Sequence, residues 1–493
     1  MNIKEAKNQI RNTLKAYLKK DELGNYRIPS VRQRPVLLIG PPGIGKTQIM
    51  EQIASEENVG LVAYTITHHT RQSAIGLPII EKRVFNGTEY TVTEYTMSEI
   101  IGSVYALMEK TGIKEGILFL DEINCVSETL APMMLQFLQC KTFGNQKLPE
   151  GWMIVAAGNP PEYNKSVRDF DIVTLDRVKR INVEEDYSVW KEYAVRNGIH
   201  AAIISYIDTK KDNFYSIEMG ADGLQFATAR GWEDLSEIIY TYEEMDIPVD
   251  TQVIIQYIQL PAIARDFANY LALYYKYRQV YHVDDILEGA WPVVTESEFR
   301  SSAFDEKLAV MSMMYSRLAD SSKKAHVQDG LTAGLYEIFS DIKSQLDEKP
   351  AGELIKNAAD SLRLELRRAS DAGHDDKDRR NLMQMELAVL DSFVAADNDE
   401  AMDLIRQRFN DELEKGKQLA DETGRKMDNA FDFLEKAIGQ SQELVFFVTQ
   451  ITSGYDTSWY VSEFGCDAYF RHNKELLFSD TRKKIIEKIR GSQ

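Results

Sequence analysis

Short, wholly apolar runs alternate along the first part of the chain with longer segments of helical period. Residues 36–39, 61–66, 117–120 and 153–157 form four such runs. Apolar residues without alternation over four to six positions are the pattern of a strand buried on both faces of a parallel sheet. Between them, residues 47–56, 98–110 and 129–139 place apolar residues every three or four positions, as one face of a helix does. The opening stretch, MNIKEAKNQIRNTLKAYLKK, puts Ile3, Ile10, Leu14 and Leu18 on one helical face and lacks the apolar core of a signal segment. Alternation over residues 1–185 predicts an α/β domain with a parallel sheet. One stretch breaks the pattern: KRVFNGTEYTVTEY, residues 82–95, sets Asn86-Gly87 between β-branched and aromatic residues. Asn-Gly accepts the positive φ of a type I′ turn, so this stretch predicts a hairpin inserted on the α/β scaffold.

From residue 186 to 291 the pattern is helical, with Asn197-Gly198 as the C-cap of a helix over residues 188–197. AWPVVTESEF (residues 290–299) marks a boundary, and 292–440 reads as long, acidic amphipathic helices. SDAGHDDKDR (residues 370–379) predicts a turn between two antiparallel helices. Leu308, Met311, Met314, Tyr315 and Leu318 make a stripe at helical spacing, which reads as core. Residues 441–493 regain aromatics and are expected to pack back on the rest.

Composition narrows the function classes. The 493 residues carry a formal net charge of −19, which counts against nucleic acid as the partner and favours protein partners. Three cysteines (Cys125, Cys140, Cys466) lack the paired spacing of a disulfide framework or a zinc site, so a reducing, cytoplasmic setting is the expectation. No apolar run is long enough to span a bilayer.

The candidate chemistry begins directly after the first apolar run. RPVLLIGPPGIGKTQIM contains G-x-x-x-x-G-K-[ST], preceded by a strand pattern and followed by a helix. Gly40, Pro41, Pro42, Gly43, Ile44, Gly45, Lys46, Thr47 and Gln48 are the expected phosphate-binding residues. Glycine lets the backbone N–H groups converge on phosphate oxygens without a Cβ in the way. In such a loop Lys46 reaches the β- and γ-phosphates of ATP, and Thr47 ligates Mg²⁺. Asp121 ends the third run in ILFLDEIN, where a strand tip meets ligand, and is the second expected Mg²⁺ ligand. Glu122 beside it is the candidate for orienting and deprotonating the attacking water. Asn159, at the tip of the fourth run in AAGNPPEYN, is placed to bond the γ-phosphate or that water. His68 and His69, after the second run, read as structural.

The glycine loop, LFLDEIN and AAGNP in this order resemble an AAA+ ATPase of the helix-2-insert group, which includes the MoxR-type, McrB-type and dynein-related modules. The resemblance spans residues 30 to 290, and the predicted hairpin falls where that group carries its insertion. It implies a P-loop parallel-sheet core, an all-helical lid over 186–291 and a largely α-helical C-terminal region. VTLDRVKR (residues 173–180) resembles the arginine-finger segment, with Arg177 as the first choice and Arg180 as the second. FATARGWEDL is similar to the lid helix with the second sensor arginine, here Arg230, although Ala229 stands where many relatives have proline. The function implied is ATP hydrolysis by a homo-oligomeric ring, a hexamer, that remodels or assembles a protein client, with a von Willebrand A-domain protein as partner. Two alternatives stay open: a nucleotide-gated binding platform with slow hydrolysis, and a McrB-type nucleic-acid translocase.

Overall fold

The computed structural model describes residues 1–474, apart from 69, 71, 73, 75, 145, 164–169, 171, 221–222, 348, 373–376 and 394–397. The chain divides into two compact units, Met1–Asp186 with Asp360–Met383, and Tyr187–Ala359 with Gln384–Gln493.

In the first unit, β1 (Val36–Ile39), β2 (Gly60–Thr65), β5 (Gly116–Asp121), β8 (Trp152–Gly158) and β9 (Lys179–Asn182) form one sheet in the order β2-β5-β8-β1-β9. Every pairing is parallel. Each apolar run of the sequence is a strand, and successive side chains sort to opposite faces as strand geometry requires. Val36, Leu38, Phe119 and Val155 pack against α1 (Ile3–Leu18) and α2 (Gln48–Glu56). Leu37, Leu118, Leu120 and Ile154 pack against α3 (Glu99–Thr111) and α4 (Ala131–Cys140) on the other face. Helix ends follow local chemistry: Asn2 and Glu5 form a capping box at α1, and the Ser98 hydroxyl caps α3.

Two features lie outside the sheet. β3 (Pro78–Phe85) and β4 (Thr88–Tyr95) form the expected hairpin, turning at Asn86 (φ 51°) and Gly87 (φ 82°). It starts four residues before the predicted stretch, and β3 is exposed along its whole length. A smaller hairpin joins β6 (Thr142–Phe143) and β7 (Gln146–Lys147). The edge strand β2 receives a distant segment of the same unit: the Leu61 N–H donates to the Ala372 carbonyl at 3.3 Å, and Lys110 Nζ pairs with Asp371 at 2.8 Å.

Among the described residues the second unit is helical apart from one antiparallel hairpin, β10 (Ser216–Gly220) with β11 (Gly223–Ala227), so the region expected as an all-helical lid also contains strand. It begins with α5 (Tyr187–Arg196), α6 (Ala201–Thr209), α7 (Ala229–Glu244) and α8 (Pro261–Tyr281), with short helices at Thr251–Tyr257, Val283–Leu287 and Val293–Ser301 between α7 and the next long helix. That helix, α9 (Phe304–Gln345), runs 42 residues, about 60 Å at 1.5 Å per residue. The stripe Leu308, Met311, Met314, Tyr315, Leu318 is buried in the core, as its spacing requires. α10 (Ala351–Asp371) and α11 (Lys377–Asp391) are divided between the units, residues 360–383 belonging to the first, and α12 (Asn398–Ile438) packs along α9. Two buried polar contacts fix their register: Ser321 with Thr423 at 2.7 Å, and Gln328 Nε2 donating to Glu412 at 2.7 Å. α13 (Gln442–Ser453) and α14 (Tyr455–Phe464) bury Phe447, Ile451 and Tyr460 in this core. The central part of the expected turn at 370–379 and the chain beyond 474 lie outside the described residues, as does His69. No described helix is long and apolar enough to cross a membrane.

Candidate functional site

Four loops leave the C-terminal ends of β1, β2, β5 and β8 and meet at one end of the sheet, and the register of the strands decides which residues face each other there. Ile39 of β1 aligns with Gly158 of β8, and Thr65 of β2 aligns with Asp121 of β5. The residues that follow these pairs are the ones the motifs single out.

The loop after β1 is shaped by its glycines. Gly43 (φ 74°) and Gly45 (φ 88°) adopt left-handed backbone, which a side chain disfavours. A Cβ at Gly40 would stand 2.7 Å from the Val183 carbonyl oxygen. The loop doubles back so that Lys46, only 8% exposed, folds over its own backbone. Its ammonium donates to the Gly40 carbonyl at 2.8 Å, to the Pro41 carbonyl at 2.7 Å and to Asn159 Oδ1 at 2.9 Å. Three acceptors hold the charge at one point, facing the ends of β1 and β8.

Thr47 precedes the first turn of α2 but makes no side-chain cap there; its hydroxyl donates to Asp121 Oδ2 at 3.2 Å. The first backbone donors of α2 turn back on the loop, the Ile49 N–H donating to the Gly45 carbonyl at 3.2 Å and the Met50 N–H to the Thr47 carbonyl at 3.0 Å, and the positive end of the helix is a favourable place for an anion. Glu122 takes a left-handed backbone (φ 56°), and its N–H donates to Asp121 Oδ1 at 2.9 Å. That turn separates the two carboxylates: Asp121 faces Thr47, while Glu122 Oε2 accepts from the Thr67 hydroxyl at 2.6 Å. Burial first, then the nearby Glu122 and Asp121 carboxylates, push the Cys125 thiol up, so it stays neutral beside the acids.

The tip of β8 is anchored from below. Buried Asn124 donates from Nδ2 to the Asn159 carbonyl at 2.7 Å, and the Ile123 N–H donates to the Ala157 carbonyl at 2.9 Å. Gly158 is what allows the approach, because a Cβ there would collide with the Asn124 amide.

Lys46, Thr47, Asp121, Glu122 and Asn159 are thus brought together. Arg177 and Arg180, of the same unit, are not among them. Arg177 is exposed, and its Nη1 donates to Gln139 at the end of α4. Arg180 lies on β9, exposed, with Nε donating to Asn182 at 2.8 Å. Arg230 belongs to the second unit, exposed in the first turn of α7, whose N-cap is Thr228. Two residues that sequence reasoning passed over enter the site: Thr67, which holds Glu122, and Asn124, which holds Asn159. The signal for Thr67 was its position just past an apolar run, the same rule that picked out Asp121. Asn124 sits three residues after Asp121, inside a motif already quoted.

The donor set fits a nucleotide with a hard divalent cation: a fixed ammonium, the positive end of α2, and a hydroxyl against a carboxylate on the oxygen-ligand pattern such ions take. Comparison with known proteins agrees. Residues 35–178 match the family described as AAA domain (dynein-related subfamily). Among curated proteins none matches the sequence. Among solved structures, a mutant of RuvB from Thermotoga maritima aligns with 46% of this chain and 62% of its own, at 15% identity and a TM-score of 0.27, a likeness too slight to carry an argument. The five-stranded parallel sheet with its helices is an AAA+ fold, and residues 35–178 are similar to the AAA domain of the dynein-related subfamily.

Proposed function

We propose that the chain is an ATP-hydrolysing AAA+ motor of MoxR type, working as a homo-oligomeric ring, a hexamer, that remodels or assembles a protein client together with a von Willebrand A-domain partner. The observation that carries this reading is the convergence of Lys46 and Thr47, from the loop after β1, on Asn159 and Asp121 at two other strand ends. Lys46 binds the β- and γ-phosphates, and Thr47 and Asp121 hold Mg²⁺, which supplies positive charge beside the phosphate oxygens. Glu122 accepts the proton of the attacking water once its carboxylate leaves Thr67. Asn159, anchored by Asn124, bonds the γ-phosphate or the water. Arg177 stabilises the charge developing on the phosphoryl group of a neighbouring subunit, with Arg180 as the second choice, and Arg230 reads the nucleotide from the lid.

One observation favours a second reading. The Glu122 carboxylate is engaged by Thr67 at 2.6 Å, an arrangement suited to a nucleotide-gated platform that hydrolyses slowly. For nucleic-acid translocation only the family resemblance speaks, and the net charge of −19 counts against it.

Nucleotide titration and turnover of two variants test the proposal. Lys46→Ala loses nucleotide affinity by roughly 100-fold or more, and Glu122→Gln keeps affinity while turnover falls by a similar factor. Affinity within twofold of wild type in Lys46→Ala sinks the motor reading. Equal turnover in wild type and Glu122→Gln moves the assignment to the platform.

A further inference from the structure

The second unit holds a cavity of about 630 Å³, lined by residues from the start of α6, from α7, α8 and α9 and from the short helix Val283–Leu287. Its back wall is aromatic. His200, 4% exposed, accepts the Ala202 N–H on Nδ1 at 3.2 Å, so a neutral ring carries its proton on Nε2, which lies 3.5 Å from Glu243. Tyr240 meets that imidazole edge-on at 4.8 Å between centroids, and Tyr274 packs on it at 5.7 Å. Tyr274 is 6% exposed, lines the cavity and has no hydrogen-bond partner for its hydroxyl among the described residues. Its oxygen can accept a hydrogen bond from an N–H donor that enters the cavity.

The charges around the cavity decide the class of occupant. Arg278 faces Glu243 at 3.4 Å, and Arg317 faces Asp284 at 3.1 Å. Asp285 and Asp320, also on the lining, have no ion-pair partner within 4 Å among the described residues, and Arg317, Lys323 and Lys324 act on Asp320 only from further off. Four carboxylates against two guanidiniums leave the carboxylates of the lining in excess by two. An anion would meet that excess, and a neutral ligand would leave both carboxylates uncompensated as it displaced their water. A cation answers both features, because it pairs with the carboxylates and lies against tyrosine faces.

We propose that this cavity binds an organic cation, an ammonium or guanidinium group on an apolar stem, with Asp320 as its charge partner and Tyr240 and Tyr274 as its walls. Such a group comes either from a free polyamine or from a basic side chain of a partner polypeptide. Calorimetric titration of the full chain distinguishes them, with spermidine as one probe and a short capped peptide containing a single arginine as the other. One saturable site is expected for at least one probe, and the probe that saturates identifies the source. Asp320→Asn weakens it at least fivefold, and Asp411→Asn, which removes an exposed carboxylate of α12, leaves it unchanged. If Asp320→Asn does not fold, Tyr274→Phe, which deletes one oxygen, takes its place with the same expected weakening. Absence of saturation with both probes, affinity unchanged in the cavity variant, or an equal loss in Asp411→Asn overturns the proposal.

Discussion

Asn124 shows how much of the site depends on a residue that does no chemistry. Its amide fixes the carbonyl of Asn159, and the Asn159 side chain in turn accepts from Lys46. Removing the amide leaves the tip of β8 free to shift by the fraction of an ångström that matters for a water-positioning group. Asn124→Ala is expected to lower turnover by about tenfold while nucleotide affinity stays within about twofold. Steady-state kinetics beside a nucleotide titration check this, and equal losses in affinity and turnover would show that Asn124 only supports the fold. Thr67 and Asn124 escaped sequence reasoning for a physical reason. A threonine after a strand and an asparagine in a loop are ordinary turn formers, and only the folded sheet shows which partner each one reaches.

At the scale of elements, the strands with unmixed apolar character were legible in advance, because burial on both faces permits no polar interruption. β9 was not, since Lys179, Arg180 and Asn182 surround a single buried Ile181 at the sheet edge. β10 and β11 were hidden for the same reason, mixing polar and apolar residues within a helical region. The Asn86-Gly87 turn was readable because its chemistry is local. The far end of the sheet is set by size. Gly60 and Gly116 are paired across β2 and β5, and Gly116 is aligned with Trp152 on β8. A Cβ on Gly116 would stand 2.5 Å from the Gly60 carbonyl and 2.6 Å from the Trp152 ring. Backbone and a fully buried indole cannot both yield, so Gly116→Val is expected to destabilise the first unit by about 3 kcal/mol or more. Denaturant unfolding measures it, and a loss under about 0.5 kcal/mol would mean that the strands slide freely.

For the whole molecule, alkaline pH probes the core directly. Burial pushes the Tyr240 and Tyr460 phenols up to about 12 each. Tyr187, Tyr206 and Tyr281 are raised further, by burial first and then by Asp208, Asp266 and Glu306 respectively. An unfolded tyrosine loses its proton near pH 10, so above that the folded chain binds more protons than the unfolded one and stability falls as pH rises. Each of the buried groups Tyr187, Tyr206, Tyr281 and Tyr460 contributes up to about 1.4 kcal/mol per pH unit, and Tyr240, 38% exposed, contributes less because water screens it. Helical circular dichroism and tyrosinate absorbance are expected to change together between about pH 10 and 12. Phenols that titrate near pH 10 in a chain with intact helices would contradict this. The hydrogen bond between Leu61 and Ala372 has a practical consequence for anyone who trims this protein. A fragment ending near residue 290 keeps every residue of the Lys46 loop and both strand tips, yet strips the cover from a strand whose Leu61 and Val62 are buried in the intact chain. Bare strand margins recruit strands from other molecules. Light scattering should therefore find the shortened polypeptide growing past the defined assembly proposed for the 493-residue chain, and a fragment of one defined size would show that the sheet guards its own border.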